Sequence, residues 1–324
     1  MTEKMPPVPH FHFVFTLPHE LSRLILANRK RLYGLLFRTA WDTLQAIAAD
    51  AKHLGADIGA VLVLHTWGQL LDHHPHLHAV VPGGGLSLDG RRWIGARSTN
   101  FFLPVKALSK LFRGKFLARL TRLRDKRQLR LEEQLAPLAD DREWRTFMAS
   151  LHAREWVTFG QAPPRGMTNP TALIKYLARY VSGAAINDQR LLTHEEGHVT
   201  FRAKNYRQGR RRLRVRLSGH EFMRRFALHV LPSGFQRVRY YGLLAHRNRK
   251  LARCRELLPA APCAAPATQP PRTDAAPSLT PHCPHCERGR LELVDRISRP
   301  PLWQVLLAAN FLHTPVPPRP RDTS

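Results

Sequence analysis

Two histidines one residue apart, His76 and His78, stand inside the run HHPHLHAVV. In an extended strand, residues two apart project from the same face, so both imidazoles reach one cation while Leu77 faces the core on the other side. Such a pair is an economical two-ligand site, although two histidines on one strand face are also a common polar surface. His73 and His74 add imidazoles nearby, Gln69 offers an amide oxygen as a third ligand, and Asp72 competes for that role. A second pattern is KYLARYV, which sets Tyr176 and Tyr180 four residues apart, on one helix face and one turn from each other. Tyrosines at that spacing also occur as core packing. Here Lys175 and Arg179 flank them, which favours a nearby phosphate and a phenolate. A phenol is a weak nucleophile near neutral pH and needs such help, or a metal that polarises the phosphate. Together the two patterns describe transfer of a phosphoryl group to tyrosine. The covalent link conserves the phosphodiester energy, so strands are rejoined without ATP, and two tyrosines permit two successive transfers.

Composition supports a polyanionic partner. Among 324 residues, 51 Lys and Arg face 24 Asp and Glu, a formal charge of +27, and 41 of the cations are arginine. The planar guanidinium fork suits phosphate and base edges better than a point charge does. The blocks Arg113-Gly114-Lys115 and Arg210 to Arg216, the latter with Arg211, Arg212 and Arg214, are candidate DNA contacts, the second more than the first. With 43% hydrophobic residues the chain buries a core. No apolar run is long enough to span a membrane, and MTEKMPPVPH lacks a signal-peptide core, so a cytoplasmic, nucleoid-associated protein is expected. The four cysteines all lie in the last quarter and cannot staple the first 250 residues. Cys283 and Cys286 form half of a zinc site; Cys254, Cys263 and His282 would complete it only at irregular spacing.

These groups need elements to position them. Residues 10–17, HFHFVFTL, read as a strand that stops at Pro18. Residues 20–53 carry apolar side chains at helical spacing and predict one or two helices. IGAVLVLH (58–65) and HLHAVV (76–81) read as neighbouring strands, the second ending at a turn over Pro82 to Gly85. A hairpin-like piece follows near 86–93, then a charged helical stretch over 108–153, a strand at 156–159, and a Pro/Gly loop before a helix from Thr171 to about Ser182. The second half of 202–216 alternates as a strand with one basic face. From Leu258 the composition shifts to Ala, Pro, Thr and Ser, which marks a linker and tail.

The blocks FHFVFTLPHEL, HTWGQLLDHHPHLHAVVPGGGL, FLPVKALSKLFRGKFL, KYLARYV and HVLPSGFQRVRYYGLLAHRNR, in that order, resemble the two-tyrosine rolling-circle transposases of the insertion-sequence 91 family. Those belong to the HUH endonucleases, named for histidine, hydrophobic residue, histidine. The resemblance implies an α+β fold in which a central antiparallel sheet, flanked by helices, carries His76 and His78, with a domain over 8–255 and an irregular tail over 256–324. It further implies that Tyr176 and Tyr180 are the nucleophiles, that magnesium or manganese is the ion, and that single-stranded DNA forms a 5′-phosphotyrosine intermediate. Related nucleases take a third ligand from an upstream Glu or Gln, which favours Gln69 over Asp72. Family members usually begin with a cysteine-rich zinc module, and this chain starts almost at the block after it. The alternative reading is a single-stranded DNA-binding remnant without catalysis.

Overall fold

Strand, helical crossover and two strands is the order found in a computed structural model, which describes residues 6–98, 100–162, 184–205, 211–245 and 250–258. Strand β1 (His10–Thr16) alternates as its sequence demands: Phe11, Phe13 and Phe15 are buried in the main core, so His10 and His12 lie on the other face. Helices α1 (Ser22–Ala27) and α2 (Arg29–Ala49) follow, separated at Asn28, whose backbone leaves helical geometry at φ −128° and ψ 34°. The Asn28 amide makes that break useful. Its Nδ2 donates to the carbonyls of Leu24 (3.0 Å) and Arg130 (3.1 Å), and its Oδ1 accepts from the Arg130 amide at 2.8 Å. Leu32, Leu36, Phe37, Ala40 and Leu44 of α2 are fully buried at the spacing read from the sequence.

Strands β2 (Ala56–Asp57), β3 (Gly59–Trp67) and β4 (His73–Pro82) come next, then β5 (Gly84–Ser87) and β6 (Trp93–Gly95). The expected turn at Pro82 to Gly85 is instead a bend: only Gly83 separates β4 in the main sheet from β5 in a small sheet of order β2-β5-β6. A Cβ at Gly83 would lie 2.9 Å from the Pro9 carbonyl oxygen, which is why glycine stands there.

The charged stretch expected as helix over 108–153 is two helices, α3 (Val105–Asp125) and α4 (Asp141–Ala153). Arg127 takes a left-handed φ of 51°, Pro137 sits in a short 3-10 turn, and the Asp140 side chain caps α4 by accepting from the amides of Arg142 and Glu143. Strand β7 (Thr158–Gln161) is followed by β8 (Leu191–Glu195), β9 (His198–Asn205), β10 (Arg211–Ser218), α5 (Gly219–Ala227), β11 (Val238–Gly242) and α6 (Lys250–Leu257).

The main sheet runs β11-β3-β4-β1-β7, every neighbouring pair antiparallel, so β4 is the central strand of five. The fold is α+β, as expected. One face packs on α2 and α3 through an aromatic core in which Phe112 meets Phe15 (ring centroids 5.1 Å) and Trp156 (5.6 Å). On the other face Val61, Val63 and Val80 are buried beneath Leu244. A third sheet, β8-β9-β10, turns Val199, Phe201 and Ala203 inward against Phe222 of α5. Its opposite face carries Arg202, Lys204, Arg212, Arg214 and Arg216, all exposed. Tyr176, Tyr180, Lys175, Arg179, Arg210, Cys283 and Cys286 lie outside the described residues, as does the chain from 259 onward.

Candidate metal centre

Alternation along β4 sends Leu77, Ala79 and Val81 into the core and leaves His76 and His78 on the opposite face. On β3, His65 pairs directly with His76, so its imidazole stands beside theirs on the same face. One nitrogen from each of His65, His76 and His78 lies within 4.8 Å of the others. Ring centroids are 4.5 Å apart for His65 and His78, 5.4 Å for His65 and His76, and 5.0 Å for His76 and His78.

Further contacts set the tautomers. His76 Nδ1–H donates to the His74 carbonyl at 2.7 Å, which leaves the Nε2 lone pair for a ligand. His78 Nδ1 shares a 2.8 Å hydrogen bond with Nε2 of His12, which is buried on β1. With the proton on His78 Nδ1 donated to His12, the lone pair of that imidazole stands on Nε2. Beside His65, the Trp67 ring stacks at 4.5 Å, and the Arg237 guanidinium lies over that ring 4.9 Å from its centroid. The register of β3 against β4 shifts between His65 and Trp67, and this bulge at the rim of the cluster re-aims the side chains on either side of it.

The environment keeps His76, His78 and His12 neutral. Burial lowers His76 to about 3, reinforced by neighbouring imidazoles, and lowers His12 to about 4. Burial, then His76, His65 and His12, push His78 down further still. Neutral imidazole is the metal-ligating form, so His76 and His78 are ready donors at ordinary pH.

The other candidates have these places: the His74 ring lies 5.3 Å from that of His76, at the edge of the cluster. Gln69, expected as the third ligand, lies past the end of β3, where its Oε1 accepts from the Lys204 amide at 3.3 Å and its carbonyl accepts from Arg190 at 2.6 Å. The third group beside His76 and His78 is His65, which the sequence reading had only as the end of a strand. The competitor Asp72 is exposed in the β3–β4 connection. His73 turns to the helical side, where its Nε2 meets the Tyr33 hydroxyl at 3.0 Å. Arg113 donates to the Arg154 carbonyl and Lys115 to the Asp42 carbonyl, both at 2.6 Å, so these two cations tie helices together on the layer away from the histidines. Arg211, Arg212 and Arg214 are exposed on β10.

An antiparallel sheet whose central strand presents two histidines, joined by a third from the next strand, defines a histidine-centred α+β protein with a cluster compatible with a divalent ion. Residues 59–251 match the family described as "Putative transposase". The chain belongs to this family, the transposases of the insertion-sequence 91 type. It is 46% identical over 303 residues to "Putative transposase y4qJ" of Sinorhizobium fredii (strain NBRC 101917 / NGR234), covering 90% of this chain and 75% of that one. It is 30% identical over 251 residues to the transposase for insertion sequence element IS801 of Pseudomonas savastanoi pv. phaseolicola, covering 75% of this chain and 56% of the relative. A solved structure of the conjugative relaxase TrwC in complex with oriT DNA is 13% identical, with a TM-score of 0.25 over 53% of this chain and 71% of that one. Among the described residues no helix is long and apolar enough to cross a membrane.

Proposed function

We propose that this transposase nicks and rejoins single-stranded DNA through a tyrosine, with His65, His76 and His78 holding a divalent ion at the scissile phosphate. The convergence of three imidazoles, with one nitrogen of each within 4.8 Å of the others, is the observation that carries this reading. They fit a divalent cation: imidazole nitrogens are donors to such ions, burial keeps His76 and His78 neutral, and the remote nitrogens of these two are anchored by the His74 carbonyl and His12. When bound, the ion draws negative charge from the non-bridging phosphate oxygens. The protein's own part is to fix the donors and to deliver the nucleophile. A tyrosine hydroxyl, from Tyr176 or Tyr180, forms the new O–P bond while the P–O3′ bond breaks. The phenolic proton passes to water, and the departing 3′ oxygen takes a proton from water and leaves as a free hydroxyl. The exposed Arg202, Lys204, Arg212, Arg214 and Arg216 supply a basic surface for the DNA backbone.

The test is incubation of the protein with labelled single-stranded oligonucleotides spanning the ends of its element, with and without Mn2+, followed by a denaturing gel. The expected result is a metal-dependent covalent adduct that is lost in Tyr176→Phe/Tyr180→Phe and in His65→Ala. Binding without any adduct would refute the reading.

A further inference from the structure

The histidine face of the main sheet is covered at one end and open at the other. Toward β11 the chain buries its own apolar groups: Val61, Val63 and Val80 are at most 1% exposed, beneath Leu244. Toward β7 the described residues leave apolar groups exposed. Val157 is 64% exposed and Phe159 is 52% exposed. Their neighbours Trp156 and Thr158, on the opposite parity, are buried, so it is only this face of β7 that is left open.

Register ties the open patch to the metal centre. His78 pairs with Val14, and Val14 pairs with Phe159, so all three project from the same face in one cross-strand row. Strands lie about 4.8 Å apart, which puts the Phe159 backbone about 10 Å from that of His78. Gln161 pairs with His12, shares the face, and adds an exposed amide beside the ring. An exposed phenyl in line with a phosphate-binding centre, on a protein carrying a charge of +27, has the chemistry of a base-stacking platform.

We infer that Phe159 stacks on the base of a nucleotide adjoining the scissile phosphate, with the Gln161 amide at that base's edge. The inference rests on the proposed action at the histidines for the identity of the strand, but its contact with DNA needs no metal. Stacking accepts any base because every base has a π-face, so Phe159 would anchor the strand without selecting sequence. An aromatic contact of this kind changes affinity by about five- to hundredfold.

The experiment uses the full chain in EDTA with dT12 in which single thymines are replaced by 5-iododeoxyuridine, a base that photo-crosslinks to aromatic side chains stacked on it. The expected result is an adduct on the peptide containing Phe159. Phe159→Ala should lose the adduct and weaken dT12 binding five- to hundredfold, and Phe159→Trp should restore both. Two results would overturn the inference: adducts confined to other peptides, or dT12 affinity unchanged in Phe159→Ala. A lowered melting temperature in Phe159→Ala with unchanged affinity would assign the ring to contacts within the protein, and would equally overturn it. Because no metal is present, failure here leaves the histidine reading standing, and failure of metal binding leaves this contact measurable.

Discussion

His65, His76 and His78 do not stand alone, because His12 holds the remote nitrogen of His78 from a different strand. His65→Ala should therefore lower Mn2+ affinity as much as His76→Ala does, whereas His12→Ala should lower it about 10–100-fold with the fold intact, read by Mn2+ electron paramagnetic resonance and by circular dichroism. Gln69→Ala should leave Mn2+ affinity unchanged. An all-imidazole set also ranks the ions: Ni2+ and Zn2+ should bind more tightly than Mn2+, and Mn2+ more tightly than Mg2+, which prefers oxygen donors. Away from the cluster, burial lowers His10 to about 4 and His73 to about 3. In the unfolded chain a histidine titrates near pH 6.5, so below that pH the unfolded state binds protons that the folded state refuses. The stability these groups contribute is complete above about pH 6.5 and is lost as pH falls toward 4. Melting temperatures in EDTA should drop across that interval. Of the cluster itself, His76 and His78 were legible because two-residue spacing is local. His65 and His12 were not, since only the pairing of distant strands brings them in.

Elements with a clear period were also legible. β1, β3 and β4 alternate or run apolar, and α2 repeats its apolar residues every three or four positions. The break within 108–153 escaped detection because a charged turn and a charged helix face have the same composition, and only Arg127 and Pro137 mark the difference. The β8–β10 sheet was half seen: β10 alternates visibly, while β8 is polar and mostly exposed, and its place depends on partners. Two element-level changes test this architecture. Asn28→Ala removes both donors to Leu24 and Arg130 and strands the Arg130 amide, so it should destabilise the fold by about 1–3 kcal/mol in urea titration. Leu77→Ala empties a fully buried site between two ligands and should cost about 2–5 kcal/mol, with Mn2+ affinity falling alongside.

For the whole molecule, the charge of +27 is partly gathered on the open face of β9 and β10, where Arg212 pairs with Lys204 and Arg214 with Arg202. Replacing Arg202, Lys204, Arg212 and Arg214 by glutamine should weaken single-stranded DNA binding without regard to sequence. It should also flatten the dependence of log affinity on log salt by about 0.7 for each phosphate contact removed, measured by fluorescence anisotropy across a salt series. Mn2+ affinity should not change, because these residues lie on a sheet separate from the histidines. The alternation along β4 has one more consequence, for the gene. His76 and His78 face outward only because Leu77 faces inward, so one codon inserted or deleted in that strand ahead of His76 would turn both imidazoles toward the aromatic core and expose the leucine. Such a lesion would abolish folding and ligation together. Copies of the element that survive length changes in this strand should carry them two codons at a time.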